Sequence, residues 1–277
     1  MCCQRIQLCT FTLLLAAVLS TPVRASCIDW QGSLQQGGLV WGRVMPGTTV
    51  MLGDEQLDVL ADGTVIAGFG RDTAVGMMLV VGTTPGCSEE LSIKQRDYRI
   101  SRVQGVPQRT VTPSLAHQAR IAREGALVSK AKAQRLLRRD LLDDALDGFE
   151  WPVTGRISGV YGSQRIYNGK PGNPHYGVDV AVPAGTIVRA PAAGVVTLAE
   201  PDLFYSGGTV ILDHGYGLSS SFLHLGKVGV AVGDEIRTGD IIGEVGATGR
   251  ATGPHLDWRM SWRNHRIDPQ LLVPAMP

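Results

Sequence analysis

A chain of 277 residues with 44% hydrophobic content is long enough for two ordinary domains, each with a core of its own. A formal net charge of +1 removes the electrostatic case for nucleic acid as a partner. Thirty-five glycines and fifteen prolines against few aromatics argue against helical repeats and for turn-rich, mainly β structure.

Residues 1–25 read as a signal peptide. Arg5 gives a positive start, Leu8 to Leu19 is an apolar run too short to span a bilayer comfortably, and Val23-Arg24-Ala25 carries small residues ahead of a cleavage point. Cleavage after Ala25 predicts a periplasmic or secreted protein with no transmembrane helix left. A lipid anchor at Cys27 ranks second, because Arg24 stands where such a signal wants an aliphatic residue. Processing removes Cys2, Cys3 and Cys9, which leaves Cys27 and Cys87. An exported chain with two cysteines most simply pairs them, closing a loop that chain entropy values at about 4 kcal/mol. The alternative, two free thiols, suits an oxidising compartment poorly.

Residues 26–110 form the first predicted domain. Gly37 to Val44, Val50 to Leu52 and Met77 to Val81 read as strands broken by Pro46-Gly47 and Asp62-Gly63, the pattern of a small β-sandwich. Trp41 and Phe69 are expected in its core, Arg71 and Asp72 as a solvated pair, and no catalytic constellation stands out. Residues 111–148 follow as a helical linker, with Thr112 suited to cap it and Pro113 to its first turn. A continuous helix here would be about 50 Å long at roughly 1.5 Å per residue, although Gly125 weakens continuity. No heptad is sustained, so a helix packed along one domain is preferred to a coiled coil. His117 reads as a surface residue.

Residues 149–277 carry the chemistry. Thr186–Ala190, Gly194–Leu198, Gly208–Leu212, Ser219–Leu223 and Asp240–Val245 read as strands separated by glycine-bearing turns, the makings of an antiparallel sheet. Within it, His175-Tyr-Gly-Val-Asp179 and Gly253-Pro-His-Leu-Asp257 concentrate candidate ligands and proton carriers. Gly177, Val178 and Val180 argue against a helix at the first motif, and Leu256, Trp258 and Met260 suit a strand at the second. Side chains two or four apart on a strand share a face, so His255 projects with Asp257, and the same spacing allows His175 to join Asp179. Imidazole and carboxylate are the donors that Zn²⁺ takes where one position stays open for water. His214 and His224 lie between the motifs. His214 is read as a groove or orienting residue, and His265 as a basic turn residue without a partner. The polar stretch from Arg165 to Gly172 reads as a loop walling a groove, with Arg165, Tyr167 and Asn168 as candidate peptide contacts and a purely structural loop as the equal alternative.

From Trp151 to about Pro274 the chain resembles the lysostaphin-type, LytM-like M23 metallopeptidases. The resemblance rests on H-x-x-x-D at His175 and Asp179, H-G-x-G at His214, His-Leu at His224, V-x-x-G-D at Val230 to Asp234, and T-G-x-x-T-G-P-H-L at Thr248 to Leu256. It implies a grooved antiparallel sheet, a Zn²⁺ site on His175 and Asp179, and His224 and His255 as catalytic histidines. It also implies a peptidoglycan stem-peptide substrate, cleaved at D-alanyl-diaminopimelate or, second, glycyl cross-links, and a first domain that targets or regulates. One position departs from the pattern: where the family ends this motif H-x-H, this chain has Asp257. Asp257 is read as the third ligand, and two carboxylates should weaken Lewis acidity and raise the pH at which bound water ionises. The alternative from a different class is a metal-free LytM-like regulator that binds and activates other cell-wall hydrolases such as amidases.

Overall fold

A computed structural model describes residues 26–82, 86–104 and 114–277. The leader assigned to 1–25 and the Thr112-Pro113 helix start lie outside the described residues. The chain is mainly β, as its glycine-punctuated sequence predicts.

Its first part carries short strands: β1 (Gln31–Gly32), β2 (Leu39–Arg43), β3 (Val50–Leu52), β4 (Glu55–Leu57), β5 (Thr64–Gly68), β6 (Gly76–Val81), β7 (Cys87–Ser92) and β8 (Ile100–Val103). The first seven build two antiparallel sheets, β1-β2-β5 and β4-β3-β6-β7. The Asp62 side chain fixes the turn into β5 by accepting from the Thr64 N–H and hydroxyl at 3.0 and 2.9 Å. Cys27 and Cys87 are disulfide-bonded, tying the start of the described chain to β7. Phe69 is buried and Trp41 partly so, both in the apolar core.

The helical stretch is two helices, α1 (Leu115–Ala133) and α2 (Arg139–Asp147). Gly125 stays helical and exposed, since one glycine costs only about 1 kcal/mol. The break falls after Gln134 instead, where the Tyr216 N–H takes the Leu136 carbonyl at 2.9 Å, so a tertiary bond overrides helix propensity. α1 sets Val128 and Ala131 against Leu198, Leu203 and Ile211, and α2 buries Leu141, Leu142 and Ala145. His117 is exposed, with its ring 4.8 Å from that of Phe204.

The second part contains β9 (Arg156–Gly159), β10 (Gln164–Tyr167), β11 (Lys170–Pro171), β12 (Val178–Ala181), β13 (Ile187–Arg189), β14 (Gly194–Leu203), β15 (Gly207–Asp213), β16 (Leu218–Val228), β17 (Glu235–Ile236), β18 (Ile241–Val245), β19 (Leu256–Trp262) and β20 (His265–Ile267). One large antiparallel sheet runs β17-β14-β15-β16-β19-β12-β9, with β18 joining β13 to β16 and β20 flanking β19. Its register separates two faces. Val178, Val180, Val210, Leu212, Phe222, Trp258 and Met260 point into the core. The opposite face carries Asp179, Asp257, Arg259 and Ser261, with Ser221 and Ile211 as their cross-strand neighbours. Because α1 packs on Ile211, it lies on this second face.

Most buried apolar side chains of both parts belong to one continuous cluster, from Leu39, Val65 and Phe69 to Trp258, Met260 and Ile267, with the smaller cluster under α1 apart from it. Polar contacts across the junction correct two expectations. Arg71 is not simply a solvated partner of Asp72: its side chain is 11% exposed, its Nε–H donates to the Gly162 carbonyl at 2.9 Å, and its guanidinium lies 4.5 Å from the Tyr98 ring. His265 does have a partner, with Nε2 3.0 Å from Glu55 Oε2 and its ring stacked on Trp262. Neither contact has a local signal, because each joins residues far apart in the chain.

Candidate metal centre

The first motif enters the sheet from a loop pinned at its backbone. The Gly162 N–H donates to the His175 carbonyl at 2.7 Å, and the His175 N–H donates to the Ser163 carbonyl at 2.8 Å. Four residues on, Asp179 stands on β12 directly opposite Asp257 on β19. Antiparallel pairing thereby brings together two carboxylates separated by 78 positions of chain, and His175 closes the group with Nε2 3.1 Å from Asp179 Oδ1. One ligand atom from each of His175, Asp179 and Asp257 lies within 4.8 Å of the others.

The donors fit a zinc-type cation. Beyond their 3.1 Å approach to each other, His175 Nε2 and Asp179 Oδ1 are buried with no hydrogen-bond partner among the described residues, an expensive arrangement unless something else satisfies them. One imidazole nitrogen with carboxylate oxygens is a zinc donor set. Glycines clear the space: a Cβ at Gly159 would come within 2.2 Å of Asp179 Oδ2, and one at Gly177 within 2.7 Å of Asp257 Oδ1. Burial works against protonating His175, but Asp179 and Asp257 outweigh it and push its pKa up.

Two further histidines stand beside this group. His255, at the start of β19, directs Nε2 to 3.9 Å from Asp179 Oδ1. Its ring centroid is 4.8 Å from that of His224 on β16. Nδ1 of His224 meets the Thr248 carbonyl at 2.8 Å, and Nδ1 of His255 meets the Gly253 carbonyl at 2.8 Å. A carbonyl can only accept, so each Nδ1 carries the hydrogen and each neutral ring keeps its lone pair on Nε2. His224 is held in the left-handed region, φ 64°, an uncommon conformation for a residue with a side chain. Burial, reinforced by the neighbouring His255, lowers its pKa despite the Thr248 bond and Asp257, so it is neutral at neutral pH.

Asp257 is 2% exposed, and its carboxylate is paired with Arg259. Burial opposes its ionisation, but the Arg259 charge and hydrogen bonds outweigh burial and hold its pKa below the usual range. Sequence reading passed over Arg259, although its i+2 position from Asp257 on a strand places both on one face.

The other predicted site residues divide. Arg165, Tyr167 and Asn168 lie not in an irregular loop but on the β10–β11 hairpin, turned at Asn168 and Gly169 with φ of 49° and 81°. An Asn-Gly pair is well suited to such a turn. The hairpin is joined in parallel to β8, so the first part of the chain contributes a strand to it. Arg165 and Asn168 are exposed and Tyr167 is half-buried. His214 is not a groove residue: it is fully buried, with Nδ1 2.7 Å from the Ala193 carbonyl and Nε2 2.8 Å from Ser220 Oγ. Burial pulls its pKa down to about 4.

A sequence model of Peptidase family M23 matches residues 173–269, the span that holds His175, Asp179, His224, His255 and Asp257. A Pseudomonas aeruginosa crystal structure described as a candidate M23 peptidase is 30% identical, with a TM-score of 0.63 over 88% of this chain and 96% of that one. The chain belongs to peptidase family M23. Among curated M23-region relatives, the DD-carboxypeptidase/endopeptidase Mpg of Neisseria meningitidis is 40% identical over 95 residues, 34% of this chain and 22% of that protein. The peptidoglycan DD-endopeptidase ShyA of Vibrio cholerae is 34% identical over 130 residues, 47% of this chain and 30% of that protein. The chain thus spans less than a third of the length of either curated relative.

Proposed function

We propose that this M23 protein is a zinc-dependent endopeptidase that hydrolyses peptide cross-links of bacterial peptidoglycan, with D-alanyl-diaminopimelate bonds as its substrate and the space outside the cytoplasm as its place of work. The observation that carries this reading is the convergence of His175, Asp179 and Asp257 with two histidines whose Nε2 lone pairs are free to handle a proton. The named DD-endopeptidase relatives support the bond type, and the signal-like N-terminus supports the compartment.

His175, Asp179 and Asp257 would hold the ion, which when bound would polarise the scissile carbonyl and acidify water. His255, nearest the ligand group, takes a proton from the attacking water and returns it to the leaving amine. His224, with its lone pair on Nε2, orients that water by accepting a hydrogen bond from it. The carbonyls of Gly253 and Thr248 fix both rings so that Nε2 faces the reaction.

A second reading, a metal-free domain that activates other wall hydrolases, is favoured by one fact: Asp257 already has a full partner in Arg259. Metal analysis of protein purified without chelator, run beside digestion of cross-linked muropeptides, separates the two. Near one zinc per chain and cleavage, both lost in His175→Ala, are expected. A chain that takes up no metal under any loading condition and cleaves nothing overturns the enzyme reading.

A further inference from the structure

Beyond Asp257, β19 carries Arg259 and Ser261 on the same face of the sheet. Ser261 stands opposite Arg266 of β20, whose Nη1 donates to Ser261 Oγ at 3.0 Å. Lys132, in the last turn of α1, donates from Nζ to the same oxygen at 3.2 Å. Lys132 and Arg266 therefore meet at one hydroxyl, and Arg259 stands two residues away along the strand that supplies a candidate metal ligand.

Their charge is not balanced from within. Among the described residues Asp257 is the one carboxylate in an ion pair with any of the three, and Arg259 holds it. The Lys132 and Arg266 side chains hydrogen-bond there to Ser261 alone. Burial and the Arg266 and Arg259 charges push the Lys132 pKa well down, and burial with Arg259 lowers that of Arg266. Yet all three side chains are only half-buried, so a ligand can reach them. Three partly exposed basic groups that share the single carboxylate of Asp257 have room for a second anion, and guanidinium with ammonium suits a carboxylate.

We propose that Lys132, Arg259 and Arg266 form a subsite for a free carboxylate of the peptide substrate, an inference that rests on the endopeptidase reading above. At about 3.3 Å per strand residue, Arg259 and Ser261 lie about 7 and 13 Å along β19 from Asp257. An extended peptide reacting at the metal centre would therefore present a carboxylate two to four residues from the scissile amide. On this reading α1 is part of the substrate site, because it delivers Lys132.

The test uses zinc-loaded full-length protein and one cross-linked muropeptide dimer in two forms, free-acid and with its carboxylates amidated. Lys132→Met and Arg266→Gln should each raise KM for the free-acid dimer about tenfold, with the loss in KM rather than kcat, and should change KM for the amidated dimer far less. Zinc content should match the wild type. Lys132→Met removes an unpaired, crowded cation, so its melting temperature should not fall, which keeps that variant informative if Arg266→Gln folds poorly. Unchanged KM on the free-acid dimer, or an equal rise on both forms, overturns the subsite. Calorimetric binding of the two uncleaved stem peptides, free-acid and amidated, separates the layers. Selective, Lys132-dependent binding of the acid without any cleavage would sink the endopeptidase reading and keep the subsite, whereas cleavage with no preference for the acid would do the reverse.

Discussion

Arg259 grips Asp257 from two residues along the same strand, its Nε 3.0 Å from both carboxylate oxygens. The pair changes what a second aspartate does to the candidate metal centre. Asp257 alone would add a negative charge to the donor set and raise the pH at which bound water ionises. Arg259 returns a positive charge beside it, so the expected alkaline displacement is largely cancelled.

Arg259→Met should therefore act in opposite directions on the empty and the loaded protein. Without metal, a buried carboxylate loses its counter-ion, which costs up to the 3–5 kcal/mol of a broken buried pair and about 2 kcal/mol at this partly open site. With zinc bound, the ion itself compensates Asp257. The gap in melting temperature between zinc-loaded and chelator-treated protein should widen in the variant, and zinc affinity should rise. An unchanged or narrower gap would show that Arg259 does not compete with the metal for Asp257.

His224 and His255 should separate from the ligands by what they lose. Replacing either with Ala leaves His175, Asp179 and Asp257 in place, so zinc stoichiometry should hold while cleavage falls by about 10² to 10⁴, the usual worth of a positioned acid or base. Metal analysis beside muropeptide cleavage checks this. A His224→Ala protein that lost its zinc would move His224 into the ligand set.

What could be read from the sequence was what period and punctuation carry. Val178, Val180, Leu256 and Trp258 alternate as buried strand residues, so β12 and β19 were legible, whereas the pairing that sets Asp179 opposite Asp257 was not. Arg259 follows from the same alternation, two residues beyond Asp257, but an arginine carries no ligand signature of its own. His214 misled because H-G-x-G marks a turn whose histidine turns inward to Ala193 and Ser220. β8 left no trace, since Ile100-Ser-Arg-Val103 is short and largely exposed, and only its pairing with β10 makes it a strand. The break between α1 and α2 depends on the Tyr216 to Leu136 bond, a contact across 80 positions that no local pattern encodes.

Two adjacent buried groups should give opposing pH dependences. Burial raises the Asp213 pKa from 3.8 to about 6, against the pull of its Gly215 and Leu136 backbone bonds, so its contribution to stability is lost as pH rises from about 4 to 6. Burial lowers that of His214 from 6.5 to about 4, so the unfolded chain takes the extra proton and stability is gained over nearly the same range. In the wild type the two slopes largely cancel. Asp213→Asn removes the first and uncovers the second, so urea denaturation should show stability rising by about 3 kcal/mol from pH 4 to 6.5, at 1.36 kcal/mol per pKa unit. A flat profile in that variant would mean that His214 does not hold its low pKa.

The last prediction concerns how the first part of the chain supports the metal centre. Gly162 has φ 79°, and a Cβ there would come within 2.0 Å of Tyr98 Cδ1, so the turn accepts only glycine without rearrangement. Arg71 lies over the Tyr98 ring and donates to the Gly162 carbonyl, while the Gly162 N–H holds the His175 carbonyl. Arg71 thus acts on the first candidate ligand through one residue, Gly162, and is in hydrogen-bond contact with no ligand itself. Arg71→Ala should cost about 2 kcal/mol, from a charged hydrogen bond and a cation–π contact, and should weaken zinc binding by loosening His175. Gly162→Ala should cost more and weaken zinc further, because the turn must shift off Tyr98. Arg71→Lys keeps the charge over the ring but not the Nε–H donor, so its zinc affinity should fall between those of wild type and Arg71→Ala. Thermal melting with and without zinc, together with competitive zinc titration, measures both effects. If Arg71→Ala lowered the melting temperature but left zinc affinity untouched, the contact would be a structural brace between the two parts of the chain with no hold on His175.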